Sequence, residues 1–100
     1  MARYEFSSVF AEEIQNYIND KNSAGYNGES FRRNLISFDR FCIEQEIKEP
    51  VFTTYHASKW LEQRTNESHT THYSRINASK QFLKYLSIKG YTVFVIRDIL

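Results

Sequence analysis

The sequence predicts an all-α fold, a bundle of four main helices. Three observations point to it. Apolar residues recur at helical spacing in four separate stretches. Only three glycines and one proline interrupt the 100 residues, which leaves room for long helices. Aromatic residues make up 16% of the chain, with eight Phe and seven Tyr, so a compact core needs few side chains. A chain of this length is one small domain. The bundle is expected over about 8–90, with a short tail at 91–100. No repeat, low-complexity tract or dividing linker is present.

Residues 1–7 read as a loose lead-in. The first helix is predicted over about 8–20. Ser7 or Ser8 can cap it, Glu12 and Glu13 favour its N-terminal dipole, and Phe10, Ile14, Tyr17 and Ile18 form its apolar stripe. The stretch DKNSAGYNGES then breaks the pattern with turn residues. The second helix is predicted over about 30–46, with Phe31, Leu35, Phe38 and Cys42 on one face. Ile36 and Ile43 lie off that face and Phe41 flanks it, so contacts on more than one side are expected. Glu49-Pro50 closes the segment, because proline disfavours the helical conformation before it.

A third helix is predicted over about 55–66, capped by Thr53 or Thr54, with Ala57, Trp60 and Leu61 buried. The fourth, about 69–89, starts at a cap on Ser68 or Thr70 and stops at Gly90. Ile76, Ser79, Phe82, Leu83 and Leu86 share its apolar face. Thr70, Tyr73, Asn77, Lys80 and Lys84 share another. Arg75 lies beside the apolar face, where it is expected to brace the bundle. The tail YTVFVIRDIL reads as an extended segment or a buried terminal piece.

The net charge of +1 conceals an asymmetry. Residues 1–50 carry six Lys/Arg against nine Asp/Glu, or −3, and residues 51–100 carry seven against three, or +4. A basic half points weakly to an anionic partner. No run is apolar and long enough to cross a membrane. The opening MARYEFSSVFAEEI has acidic residues where a signal peptide carries its apolar centre. The single cysteine excludes an internal disulfide. A cytoplasmic protein with no membrane partner is predicted.

Catalytic and metal motifs are missing. A structural zinc site needs about four ligands, usually in two close pairs. Here only His69 and His72 are paired, and His56 and Cys42 stand elsewhere, so the imidazoles read as caps or surface groups. Cys42 falls on an apolar stripe, and a reactive thiolate needs an electropositive, partly open setting. There is no nucleophile elbow, P-loop or Gly-rich phosphate cradle. Neither enzyme activity, metal nor cofactor is predicted.

Nucleic-acid recognition remains. Basic side chains neutralise phosphates, and short polar residues at helix starts bind them. Two places supply both. One is Tyr26–Arg33, with Asn27, Ser30, Arg32 and Arg33. The other begins at Ser68, with Thr70, Thr71, Tyr73, Asn77, Lys80 and Lys84. No acidic residue lies between Ser68 and Gly90. Arg33, Asn77 and Lys80 are the side chains most able to reach a base edge. Each arginine is as apt, taken singly, to pair with Glu29, Asp39 or Glu44. A helical protein-interaction or adaptor module without DNA binding is the alternative.

The order of these segments resembles the core-binding domain of tyrosine recombinases, the phage-type integrases. SFRRNLISFDRFC resembles the family's T-x-x-x-Y-x-x-x-L-x-x-F-x-x-F segment, with Ser30 at the polar start and Leu35, Phe38 and Phe41 near the apolar positions. THYSRINASKQFLKYLSIKGY resembles its R-x-F-x-x-Y-L segment, with Lys80 in the arginine position, then Leu83, Tyr85 and Leu86. TTYHASKWLEQR resembles the helix between them. The resemblance covers about residues 8–91. It implies a SAM-like orthogonal bundle forming one half of a C-shaped clamp on double-stranded DNA, in DNA integration and recombination. A separate C-terminal catalytic domain of the same parent cleaves and rejoins strands, and recombinase protomers are possible partners. The catalytic arginine, lysine, H-x-x-R motif and tyrosine of that domain have no counterpart here. By the family pattern, DNA contacts fall on Ser30, Arg33, Thr70, Tyr73, Asn77, Lys80 and Lys84. Lysine at position 80 costs the bidentate geometry of an arginine.

Overall fold

Why these stretches become helices is visible at their ends. The computed structural model describes residues 4–96. Among them are four helices, α1 (Ala11–Ser23), α2 (Gly28–Glu44), α3 (Thr54–Leu61) and α4 (His69–Ile88), and two short strands, β1 (Val51–Phe52) and β2 (Thr92–Val93). The all-α class is therefore as the sequence predicts. Contacts gather into two compact units, Met1–Glu49 and Pro50–Leu100.

In the first unit, α1 buries Phe10, Ile14, Tyr17 and Ile18, the predicted stripe. It begins three residues later than expected. Phe10 stands at its N-cap without a side-chain cap, and the Ser8 hydroxyl accepts from the Phe10 amide one turn earlier. Its C-terminus closes on Gly25 at φ +92°, with the Gly25 amide donating to the Asn22 carbonyl and the Tyr26 amide to Lys21.

Helix α2 starts two residues earlier than predicted because two asparagines cap it. Asn27 accepts from the Glu29 amide at 3.1 Å, and Asn22 Oδ1 accepts from the Gly28 amide at 2.9 Å. Gly28 is packed so closely there that a Cβ would lie 2.6 Å from Asn22 Oδ1. Leu35, Phe38, Phe41 and Cys42 are buried, whereas Ile43 stays 46% exposed and packs no core on its side. The helix ends at Glu44, not at the proline. The backbone turns on Glu46 at φ +56°, and the amides of Glu46 and Ile47 donate to the carbonyls of Ile43 and Cys42. A left-handed residue with a Cβ is strained, so this stop carries no glycine to announce it.

The lead-in is not loose from Tyr4 onward. Asp39, fully buried on α2, accepts from the Tyr4 hydroxyl at 2.6 Å and from the amides of Ser8 at 2.9 Å and Ser7 at 3.2 Å. One carboxylate thus satisfies three donors from a segment some thirty residues away in sequence.

In the second unit, α3 opens with a capping box. Thr53 Oγ1 accepts from the His56 amide, and the His56 imidazole reaches back to the Thr53 amide. Helix α3 stops at Leu61, five residues short of the prediction, because its last carbonyls are taken by side chains of α4. Ser68 caps α4 by accepting from the Thr71 amide at 3.0 Å, as expected. Ile76, Ser79, Phe82, Leu83 and Leu86 are buried, the predicted face, and Gly90 at φ +99° ends the helix. The tail is extended, as expected. Strands β1 and β2 pair in parallel, Val51 with Thr92 and Phe52 with Val93, and Ile96 is buried. Strand β1 is absent from the sequence reading, since two residues carry no periodicity. The end of the tail, 97–100, lies outside the described residues.

Candidate nucleic-acid interface

The predicted contact residues divide by unit. On the first unit three of the four are engaged within the protein. Asn27 caps α2, so its side-chain oxygen is committed. The Ser30 hydroxyl donates to the Asn27 carbonyl at 2.7 Å. Arg32 donates to the Tyr4 carbonyl and stacks on the Phe6 ring, 4.8 Å from its centroid. It also lines a groove of about 450 Å³ with Tyr4, Phe6 and Glu12. Only Arg33 projects into solvent with no ion pair among the described residues. Asp39 pairs with no arginine among the described residues; it holds Tyr4, Ser7 and Ser8.

On the second unit the candidates stand on α4. Stepping 100° per residue places Thr70, Tyr73, Asn77, Lys80 and Lys84 in a sector about 80° wide, running about 21 Å along the helix. Thr70, Thr71, Tyr73 and Lys84 are exposed, and Asn77 and Lys80 are half-buried. No carboxylate pairs with either lysine among the described residues. Thr71 is partly committed, since its hydroxyl oxygen accepts from the Ser68 hydroxyl at 2.9 Å. Ser74 and Gln81 share this face and are exposed. The same helical wheel would have found both. The sector ends at Ile88, which is 78% exposed.

Arg75, the other cation in this part of α4, has the opposite fate. Its side chain is 3% exposed. The guanidinium grips Glu67 with two hydrogen bonds, Nε to Oε2 at 2.8 Å and an Nη to Oε1 at 3.0 Å. It also donates to the carbonyls of Trp60 at 2.7 Å and Glu62 at 3.1 Å, and sits 4.4 Å from the Trp60 ring centroid. His72 Nε2 donates to the Leu61 carbonyl at 2.8 Å. Two side chains of α4 thereby cap three consecutive carbonyls at the end of α3. The Arg75 hydrogen bonds hold the Glu67 carboxyl well below the usual range, at about 2, against the opposing effect of burial. Trp60 Nε1 donates to the Ser79 hydroxyl at 2.7 Å, and that hydroxyl donates to the Ile76 carbonyl at 2.8 Å. This polar core fixes the start of α4, and with it the exposed sector.

Other chemistry-bearing groups are occupied. Cys42 is buried, and burial pushes its thiol upward, as does the Asp39 charge. Tyr4 is pushed up to about 12, first by burial and then by its bond to Asp39. His56 and His72 both serve helix ends, as capping imidazoles. No cluster of three or more His, Cys, Asp or Glu among the described residues could hold a metal ion. None of the described helices is long and apolar enough to cross a membrane.

Comparison with known proteins gives no match, whether to a family model, a curated protein or a solved structure.

Proposed function

We propose that this chain binds double-stranded DNA through the exposed sector of α4. The role is that of the core-binding half of a site-specific recombinase in the cytoplasm. Strand cleavage comes from a separate catalytic domain. One observation carries the reading. A twenty-residue helix without an acidic residue carries an exposed Lys84 and a half-buried Lys80 that pair with no carboxylate among the described residues, beside hydroxyl and amide groups suited to phosphate and sugar. The order of the sequence motifs supports the recombinase assignment.

The test is fluorescence anisotropy on a labelled duplex across a salt series. Non-specific binding of about 10⁻⁴–10⁻⁶ M is expected at physiological salt, tightening as salt falls. Lys80→Ala with Lys84→Ala should weaken it, and the slope of log K on log salt should flatten by about 0.9 for each lysine that meets a phosphate. Equal titrations for wild type and double variant at low salt remove α4 as the contact surface.

A second reading, a helical protein-interaction module, draws on the exposed apolar side chains Ile88 and Phe94, 78% and 42% accessible. It predicts indifference to DNA and self-association that rises with concentration in light scattering. Its tail-mediated form has less to offer, since β2 is already paired with β1.

A further inference from the structure

We infer that Asn77 reads sequence on this face, and that the base it reads is adenine. The inference rests on the DNA-binding reading above and adds a division of labour within it. Asn77 stands near the midpoint of α4, a helix about 30 Å long. A straight helix laid in a major groove comes nearest the base edges at its middle, while its ends diverge toward the phosphate walls. The central side chain should therefore be short, and the flanking ones long. Tyr73, Asn77, Lys80 and Lys84 follow that order, although Thr70 and Ser74 on the same face are short. Asn77 carries a two-carbon reach, while Lys80 and Lys84 follow one and two turns on, and Tyr73 precedes it by one turn.

Asn77 is also chemically uncommitted. Its carboxamide makes no hydrogen bond among the described residues, although the residue is half-buried. Asn16, Asn19, Asn22 and Asn27, by contrast, use their amides to fix a neighbour, while Asn34 of α2, half-buried and without a hydrogen bond among the described residues, belongs to the other unit. Asparagine is a poor helix former in mid-helix, and no hydrogen bond among the described residues accounts for it at that point. An amide presents one donor and one acceptor side by side, which matches adenine N7 and N6 in the major groove. Lysine offers donors only and cannot make that distinction. Gln81, one turn on and exposed, has the same chemistry on a longer stem and is the natural comparison.

The experiment uses the full chain. A pool of randomised duplexes is enriched at low salt, and the selected duplex is compared with single base-pair changes by anisotropy. The variants are Asn77→Ala, Gln81→Ala and the Lys80→Ala, Lys84→Ala pair. Alanine is the better helix former, and circular dichroism checks that each variant folds. Wild type should select an adenine at a fixed position and lose roughly fivefold to a hundredfold on its replacement. Asn77→Ala should erase that preference and leave the salt slope unchanged. Gln81→Ala should retain the preference, and the lysine pair should flatten the slope while keeping it. A wild-type adenine preference that survives Asn77→Ala overturns the inference and leaves the DNA reading standing. Wild-type binding without any base preference does the same. No duplex binding by wild type at low salt overturns the DNA reading itself, and the inference with it.

Discussion

Arg75→Ala is the perturbation that asks most of the second unit. The wild-type guanidinium makes four hydrogen bonds, two to the Glu67 carboxylate and one each to the carbonyls of Trp60 and Glu62. The side chains of Arg75 and Glu67 are only 3% and 6% exposed. Removing one partner of so buried a pair leaves a carboxylate with little access to water, a loss of about 3–5 kcal/mol. The two freed carbonyls add to the loss, though such costs do not sum independently. Against a total stability of about 5–15 kcal/mol, the variant should be only marginally folded. Trp60 is the single tryptophan and lies 4.4 Å from the guanidinium, so its emission reports this region directly. In urea, with a slope of about 1–3 kcal/mol per molar, the midpoint should fall by more than about 1 M. Adding Glu67→Gln to Arg75→Ala should recover part of the loss, because a neutral amide tolerates burial better than an unpaired charge. A loss below about 1 kcal/mol with unchanged slope would refute the argument. So would a double variant less stable than Arg75→Ala alone, since the cost would then lie in packing and not in the stranded charge.

Four further outcomes follow from the same contacts. Asp39→Ala should release the lead-in at a cost of about 2–4 kcal/mol, since it strands three donors, and the amides of Ser7 and Ser8 should lose hydrogen-exchange protection. Glu67 titrates at about 2 in the fold against 4.5 ordinarily, so its stabilisation is complete above pH 4.5 and is lost as pH falls toward 2. Acid unfolding followed by Trp60 emission should show that loss, and Glu67→Gln should flatten the profile through this window. Glu46→Gly should stabilise by about 0.5–1 kcal/mol in thermal unfolding, because glycine relieves the left-handed strain at φ +56°. Ser68→Ala should destabilise by about 1 kcal/mol through loss of the α4 cap, seen as a lower urea midpoint.

Much of the fold was legible in the sequence, and particular residues show why. Ser68, the spacing from Ile76 to Leu86 and Gly90 marked α4 almost to the residue, because cap, periodicity and stop are all local signals. Helix α2 was placed two residues late at both ends. At its start Gly28 reads as a breaker, yet it is the first helical residue, made necessary by Asn22. At its end Glu46 performs a glycine's task. Helix α3 is predicted too long because Glu62, Gln63 and Arg64 are good helix formers and the first turn residue comes only at Asn66; what ends α3 is Arg75 and His72, ten and more residues downstream. The sequence offers Asp39 only as a possible partner for an arginine, and the donors that justify its burial are more than thirty residues away.

The candidate site divides the same way. Sequence periodicity alone placed Thr70, Tyr73, Asn77, Lys80 and Lys84 on one face of a helix, because an α-helix fixes direction from spacing. It also set Arg75 apart from them. Whether a charge on a given face is spent or available is not a local property. Arg32 and Arg33 are neighbours in sequence, yet one holds the Tyr4 carbonyl and stacks on Phe6 while the other projects into solvent. Arg75 and Lys80 are both cations of α4, yet one is locked to Glu67 and the other faces outward. The sequence determined the four helices and their faces, since propensity, capping and periodicity act within a few residues. Only the tertiary structure decided which polar groups remain free to meet a partner. Their competitors are carboxylates, carbonyls and rings that arrive from elsewhere in the chain, and a buried donor or charge is stable only where such a partner arrives.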